Sequence, residues 1–188
     1  GTSVGVPAIG CDCPVCLSAH PRNKRRRSSV YLEAAGLHLI IDTPPDFREQ
    51  VLVCKGPRLD ALLFTHSHTD HLVGFDDIRR FNVVQQQIIP AYGSRAVLDE
   101  LLRIFPYIRN TPPPGLAYPR VEMCQVSGPF RIGVIAVEPL EVEHAGIPTC
   151  GYRLEAAGRA LAYVPDCHAM AEEVVRRLVG LDVMILDA

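Results

Sequence analysis

The sequence lacks several features that would settle its class at once. It has no apolar run near the ~20 residues that span a bilayer, so nothing in it reads as a transmembrane helix. Its net charge is only −2 with histidine neutral, which argues against a membrane or nucleic-acid partner held by bulk electrostatics. The opening Gly1-Thr2-Ser3-Val4-Gly5 carries neither a basic n-region nor an apolar h-region, so no signal peptide is visible. There is no initiator methionine, no internal repeat, no low-complexity segment, and no Gly-x-Ser-x-Gly or Ser-His-Asp pattern of a covalent hydrolase. What remains is an ordinary globular mix, 48% hydrophobic and 21% charged over 188 residues. That length suits one domain with a sizeable core, residues 1–188, better than two.

The seven cysteines are an odd number, three crowded at the start (Cys11, Cys13, Cys16) and four scattered (Cys54, Cys124, Cys150, Cys167). A disulfide scaffold uses an even count in a smaller, secreted chain. A reduced, cytoplasmic chain with one Cys-rich metal loop at 11–16 fits better.

Hydrophobic periodicity and turn residues predict a layered α/β chain. Residues 1–29 read as loop, with five cations among Arg22 to Arg27. Val30 to Leu32 and Leu37 to Ile41 read as two strands joined at Ala35-Gly36. Asp46 is placed to cap a helix through about Val53. Leu59 to Thr65 is an apolar strand. Phe75 to Phe81 reads as a helix with Asp76 and Asp77 early and Arg79 and Arg80 late, as the helix dipole favours. Part of Val83 to Tyr92 reads as strand, and Ser94 to Phe105 as a capped amphipathic helix. Thr111 to Gly115, with three consecutive prolines, is a surface loop. Strands follow from Val121, then near Phe130–Ala136, Val137–Val142, Thr149–Leu154, Ala160–Val164 and Val183–Leu186, with a helix over Ala171 to Leu178.

The chemistry concentrates in His66-Ser67-His68-Thr69-Asp70-His71, directly after the apolar strand. Three imidazoles and a carboxylate within six residues suit Zn, Mn or Fe. On an irregular turn, His66 and His68 can grip one metal while Asp70 and His71 reach a second.

Thr65-His66-Ser67-His68-Thr69-Asp70-His71 resembles the HxHxDH signature of the metallo-β-lactamase superfamily. The resemblance implies an αββα sandwich with two divalent metals, Zn or Mn, at the edge of its sheets. It assigns His66 and His68 to the first metal and Asp70 and His71 to the second. His144, after the strand ending at Val142, is similar to the family's third histidine. Asp166, after Leu161-Ala162-Tyr163-Val164-Pro165, is similar to its bridging aspartate. Asp42, at the end of a strand in a motif the superfamily repeats, is implied to orient the metal loop by hydrogen bonds from behind the ligands. The family's first strand and its last ligand, a histidine beyond the final strand, have no counterpart between Gly1 and Asp187-Ala188. The sequence therefore reads as trimmed at both ends.

Cys11-x-Cys13-x-x-Cys16 narrows the resemblance. Three thiolates so spaced ask for a fourth ligand to close a tetrahedral structural zinc site. With Gly1-Thr2-Ser3, Arg27-Ser28-Ser29, Ile41-Asp42-Thr43 and Asp46-Phe47-Arg48, the cluster resembles the PhnP-type cyclic phosphodiesterases. In that family the fourth ligand is a late histidine absent from this chain; His20 is a local substitute. The resemblance implies a phosphoric diester hydrolase of small, cyclic phosphodiesters, working through a hydroxide held by the metal pair. Asp70 is expected to orient that hydroxide as the catalytic residue, and the resemblance implies that Asp166 would bridge the metals. It also carries an expectation of a homodimer. The alternatives are a thioesterase, lactonase or nuclease on the same fold, or a PqqB-like non-hydrolytic biosynthetic protein.

Overall fold

The computed structural model describes residues 3–186. Gly1, Thr2, Asp187 and Ala188 lie outside the described residues, and with them the Gly1-Thr2 part of the N-terminal motif.

The described residues form two five-stranded sheets. The first contains β1 (Val30–Ala34), β2 (Leu37–Ile41), β3 (Ala61–Leu63), β4 (Ile89–Gly93) and β5 (Val121–Gln125), side by side in that order. Only β1 and β2 are antiparallel; the others pair in parallel. The second sheet contains β6 (Phe130–Ile132), β7 (Ile135–His144), β8 (Ile147–Ala156), β9 (Arg159–Val164) and β10 (Val183–Leu186). It is an antiparallel meander closed by one parallel pair, β9 with β10. Among the described residues six α-helices accompany them: α1 (Pro14–Leu17), α2 (Phe47–Cys54), α3 (Thr69–Leu72), α4 (Arg79–Gln85), α5 (Arg95–Ile104) and α6 (Glu172–Arg176).

The alternation of side chains along each strand sorts the core into layers. On β2, Leu39 and Ile41 face the other sheet, where they meet Val137, Cys150, Tyr152, Leu154 and Tyr163. Ile40, between them, faces the opposite way and packs with Phe47 of α2 and Val97 and Leu101 of α5. On the far side of the second sheet, Leu140, Ala162 and Val164 receive Val174 of α6. The order is helix, sheet, sheet, helix: the αββα sandwich expected from the motif.

Three hairpins close on the same dipeptide. Ala35-Gly36, Ala145-Gly146 and Ala157-Gly158 all have positive φ at both residues, which the right-handed twist of two-residue hairpins favours. The break between β6 and β7 falls at Gly133-Val134, not between Ala136 and Val137 as the hydrophobic run suggested, because Gly133 supplies the positive φ a turn needs.

Other local readings shift. The first 29 residues contain α1 and a 3₁₀ turn at Pro21–Asn23. Asp46 sits at the N-cap of α2, but its side chain makes no cap hydrogen bond; its carboxylate is taken by the Arg27 amide and guanidinium, which tie the segment just before β1 to the helix. Val73–Ile78 is 3₁₀, and Arg79 and Arg80 begin α4 where the dipole argument put them at a helix end. Val83 belongs to α4, so the strand reading holds only from Ile89. Ser94 caps α5 as expected, its Oγ accepting the Val97 amide.

Candidate metal centre

The strands deliver their C-terminal ends to one edge of the sandwich. β2 leads into Asp42, β3 leads towards His66, β7 ends at His144, and β9 leads to Asp166. Asp42 adopts φ +64°, a left-handed conformation that aspartate tolerates better than most residues. That turn points a fully buried carboxylate at the metal loop.

Asp42 organises this edge. Its Oδ1 accepts the Thr65 amide at 2.8 Å, and its Oδ2 accepts the Thr65 hydroxyl and the His71 Nδ1–H, each at 2.8 Å. Having donated to Asp42, Thr65 Oγ1 is left to accept from His66 Nδ1 at 3.0 Å. These bonds occupy the Nδ1–H of both imidazoles and turn each Nε2 towards the front of the site: His71 directly, His66 through the threonine. Thr65 is the residue that spacing did not flag as functional. Its place between a strand and the first histidine was the available clue.

The ring nitrogens on the open side converge. His66 Nε2 lies 3.0 Å from His68 Nδ1, and His144 Nε2 lies 3.2 Å from the same atom. Asp166 Oδ2 is 3.2 Å from His144 Nε2 and 3.6 Å from His66 Nε2. Tetrahedral coordination with bonds of about 2.0–2.1 Å separates ligand atoms by roughly 3.3 Å, so the spacing fits one divalent ion. A second group, Asp70, His71 and Asp166, adjoins the first. His71 Nε2 stands 3.5 Å from Asp166 Oδ2 and 3.6 Å from Asp70 Oδ2. The same Asp166 oxygen faces both groups. His66 and His71 are buried, whereas the Asp70, His144 and Asp166 side chains are 17%, 22% and 20% exposed. The cluster is thus closed behind and open in front.

The electrostatics follow from this packing. Burial, and then the charge of His71, push His66 down to about 3, so its ring is neutral at neutral pH. Burial works against a charged His71, but hydrogen bonds and charge from Asp166 and Asp42 outweigh it and raise the ring to about 10. Burial would likewise raise Asp166, yet His71, His66 and His144 together hold it at about 2. A cation at His71 Nε2 would take the place of that proton.

At the other location the thiol sulfurs of Cys11, Cys13 and Cys16 lie within 4.8 Å of one another. Two are held by amides: Cys16 Sγ accepts from Ala8, and Cys13 Sγ accepts from Cys16, where it caps α1. The latter contact, with Cys11 adding to it, lowers the Cys13 thiol to about 7. His20, the local substitute for a fourth ligand, is not in this group; its Nδ1 accepts the Arg22 amide instead. His38 is structural, its Nδ1 2.6 Å from the Tyr31 hydroxyl. No helix among the described residues is long and apolar enough to cross a membrane.

Comparison with known proteins bears on the same features. The model of the beta-lactamase superfamily domain matches residues 38–188. An octanoyltransferase of Porphyromonas gingivalis is 35% identical over 191 residues, covering 100% of this chain and 37% of the relative. Coenzyme PQQ synthesis protein B of Methylobacterium radiotolerans is 28% identical, covering 97% of this chain and 68% of the relative. Among solved structures, a diphosphatase from the PhnP family superposes with a TM-score of 0.86 at 34% identity, over 98% of this chain and 68% of that one. Zinc-bound PqqB from Methylobacterium extorquens superposes with a TM-score of 0.78 at 23% identity, over 98% of this chain and 69% of that one, a likeness of fold. The chain therefore spans little more than a third of the octanoyltransferase and about two thirds of the others. With the αββα layers, the HxHxDH loop and the family model in agreement, the chain belongs to the metallo-β-lactamase superfamily, and the PhnP family is a close match to its structure.

Proposed function

We propose that the chain is a metal-dependent hydrolase of small phosphoric esters, with cyclic phosphodiesters as the leading substrates. The observation that carries this reading is Asp166 Oδ2, one oxygen facing two adjoining donor groups. Such a pair of groups could hold two divalent cations, which when bound would supply Lewis acidity at a phosphoryl oxygen and an activated water at neutral pH. The phosphoryl substrate class is supported by likeness to the PhnP-family diphosphatase.

The protein's own part is placement. His66, His68 and His144 with Asp166 form the first position, and Asp70 and His71 with Asp166 the second. Asp42 and Thr65 engage the Nδ1 atoms of His71 and His66 and so aim each Nε2 at the metal positions. Asp70, on the open side, is the carboxylate that orients the attacking water. Cys11, Cys13 and Cys16 hold a separate structural zinc. The partner is a small molecule that enters from the exposed front, and the protein acts in the cytoplasm as a homodimer.

A chromogenic phosphodiester assayed with Zn-loaded, Mn-loaded and metal-free protein tests this. Turnover is expected only with metal, and Asp70→Ala should lower kcat/KM by about a hundredfold or more, the scale of losing a positioned acid–base group. Metal-loaded protein that leaves the diester intact would count against the phosphodiester reading. The second reading, a thioester hydrolase, draws on the octanoyltransferase relative that aligns with the whole of this chain. An octanoyl thioester in the same assay separates the two.

A further inference from the structure

The first donor group is assembled from both sheets. His66 and His68 follow β3 of the first sheet, whereas His144 ends β7 and Asp166 follows β9 of the second. Asp42 holds the metal loop from the first sheet alone. The spacing between the two half-sets of ligands therefore depends on something that crosses the sandwich. Two residues of β8 do so. The Tyr152 hydroxyl, fully buried, donates to the Phe64 carbonyl at 2.8 Å. The Cys150 amide donates to the Thr65 carbonyl at 3.0 Å, and its buried thiol points at the same oxygen at 3.6 Å. Phe64 and Thr65 are the two residues immediately before His66. β8 is in turn the hairpin partner of β7, with Ile147 directly opposite His144.

We propose that Tyr152 and Cys150 form a cross-sheet clamp that sets the separation of His66 and His68 from His144 and Asp166, making both positioning residues for the first metal. The inference rests on the metal-binding reading above. Neither residue touches the ion. Each fixes one carbonyl in the Phe64-Thr65 link between β3 and His66, and removing such outer support typically costs 10–100-fold in metal affinity.

The fold supplies a matched control. Tyr163 lies on β9 directly opposite Tyr152 and is equally interior, but its hydroxyl, with Ser28 beside it, makes no hydrogen bond to the residues before His66. Tyr152→Phe and Tyr163→Phe each remove one buried hydroxyl from the same layer, but only the first cuts the clamp. The experiment titrates metal-free protein with Co(II), reading visible absorption for affinity and ligand geometry, with the thermal midpoint measured alongside. Tyr152→Phe is expected to weaken the Co(II) site at least about tenfold and alter its spectrum, while Tyr163→Phe keeps the affinity and spectrum of the parent chain. Unchanged Co(II) binding in Tyr152→Phe, or equal weakening in both variants, overturns the clamp. A parent chain that shows no histidine-type Co(II) spectrum overturns the metal-binding reading itself, and the clamp with it.

Discussion

At the scale of single residues, Asp42 carries more of the site than any proposed ligand does, although it binds no metal in the proposal. Its two oxygens receive three hydrogen bonds and decide which nitrogen of two imidazoles is available. The charge on His71 that results has a pH signature. The folded ring titrates at about 10, above the ordinary 6.5. Its stabilising contribution is therefore complete below pH 6.5 and is lost as pH rises towards 10. The thermal midpoint of chelator-treated protein should fall across that window, and Asp42→Asn should flatten the slope by removing one of the two carboxylates. Metal-loaded protein should lack the slope, since the cation replaces the proton. A flat profile in the metal-free parent would show that His71 is not held as a cation. Asp42, the four residues of the HxHxDH loop, His144 and Asp166 could all be named from motif and strand order. Thr65, Cys150 and Tyr152 could not be assigned their contacts. A threonine before the motif or a tyrosine in an alternating strand looks the same whether its hydroxyl meets a carboxylate, a carbonyl or nothing, and the pairing that decides is made across 88 residues between Tyr152 and Phe64.

At the scale of elements, the loop after β2 and the turn after α3 are packed so closely that only glycine fits between them. A Cβ at Gly74 would stand 2.1 Å from the Pro44 carbonyl oxygen and 2.7 Å from Phe47 Cβ. Neither can retreat easily, because the Gly74 amide donates to Thr43 and the Phe47 amide to Pro44. Gly74→Ala should therefore push the metal loop away from Asp42. The expected cost is ~1–3 kcal/mol or more in denaturant unfolding, the range for overpacking, together with weaker metal uptake at the His/Asp cluster and normal uptake at the Cys cluster. Full stability in Gly74→Ala would mean that this contact yields. Element types were legible wherever periodicity ran long, as in α5 and β9. They were not where charge was taken as a guide. Arg79 and Arg80 begin a helix, because the 3₁₀ segment before it absorbs Asp76 and Asp77. Asp46 was read as a cap, but Arg27, 19 residues earlier, claims its carboxylate.

At the scale of the whole molecule, the proposed centre joins the two sheets through ligands contributed by each. Bound metal should then stabilise the entire sandwich. At a free-ion level a hundredfold above Kd the gain is about 2.7 kcal/mol, which for a chain of this size corresponds to a thermal shift of roughly 5–11 °C. Differential scanning calorimetry before and after chelation checks this, and His144→Ala should remove much of the shift, since it cuts the tie from the second sheet. A shift that survives His144→Ala undiminished would place the stabilising ion elsewhere, at the cysteine cluster.

The oxygen that Asp166 turns towards both donor groups has a consequence for how the two positions fill. One carboxylate charge cannot be spent in full on two cations, so occupancy of either changes what the other is offered. Thermodynamic reciprocity makes that influence equal in both directions. The two ions would constitute one cooperative binding unit with a shared coupling free energy, and its sign is set by whether the first arrival orders Asp166 more than it neutralises it.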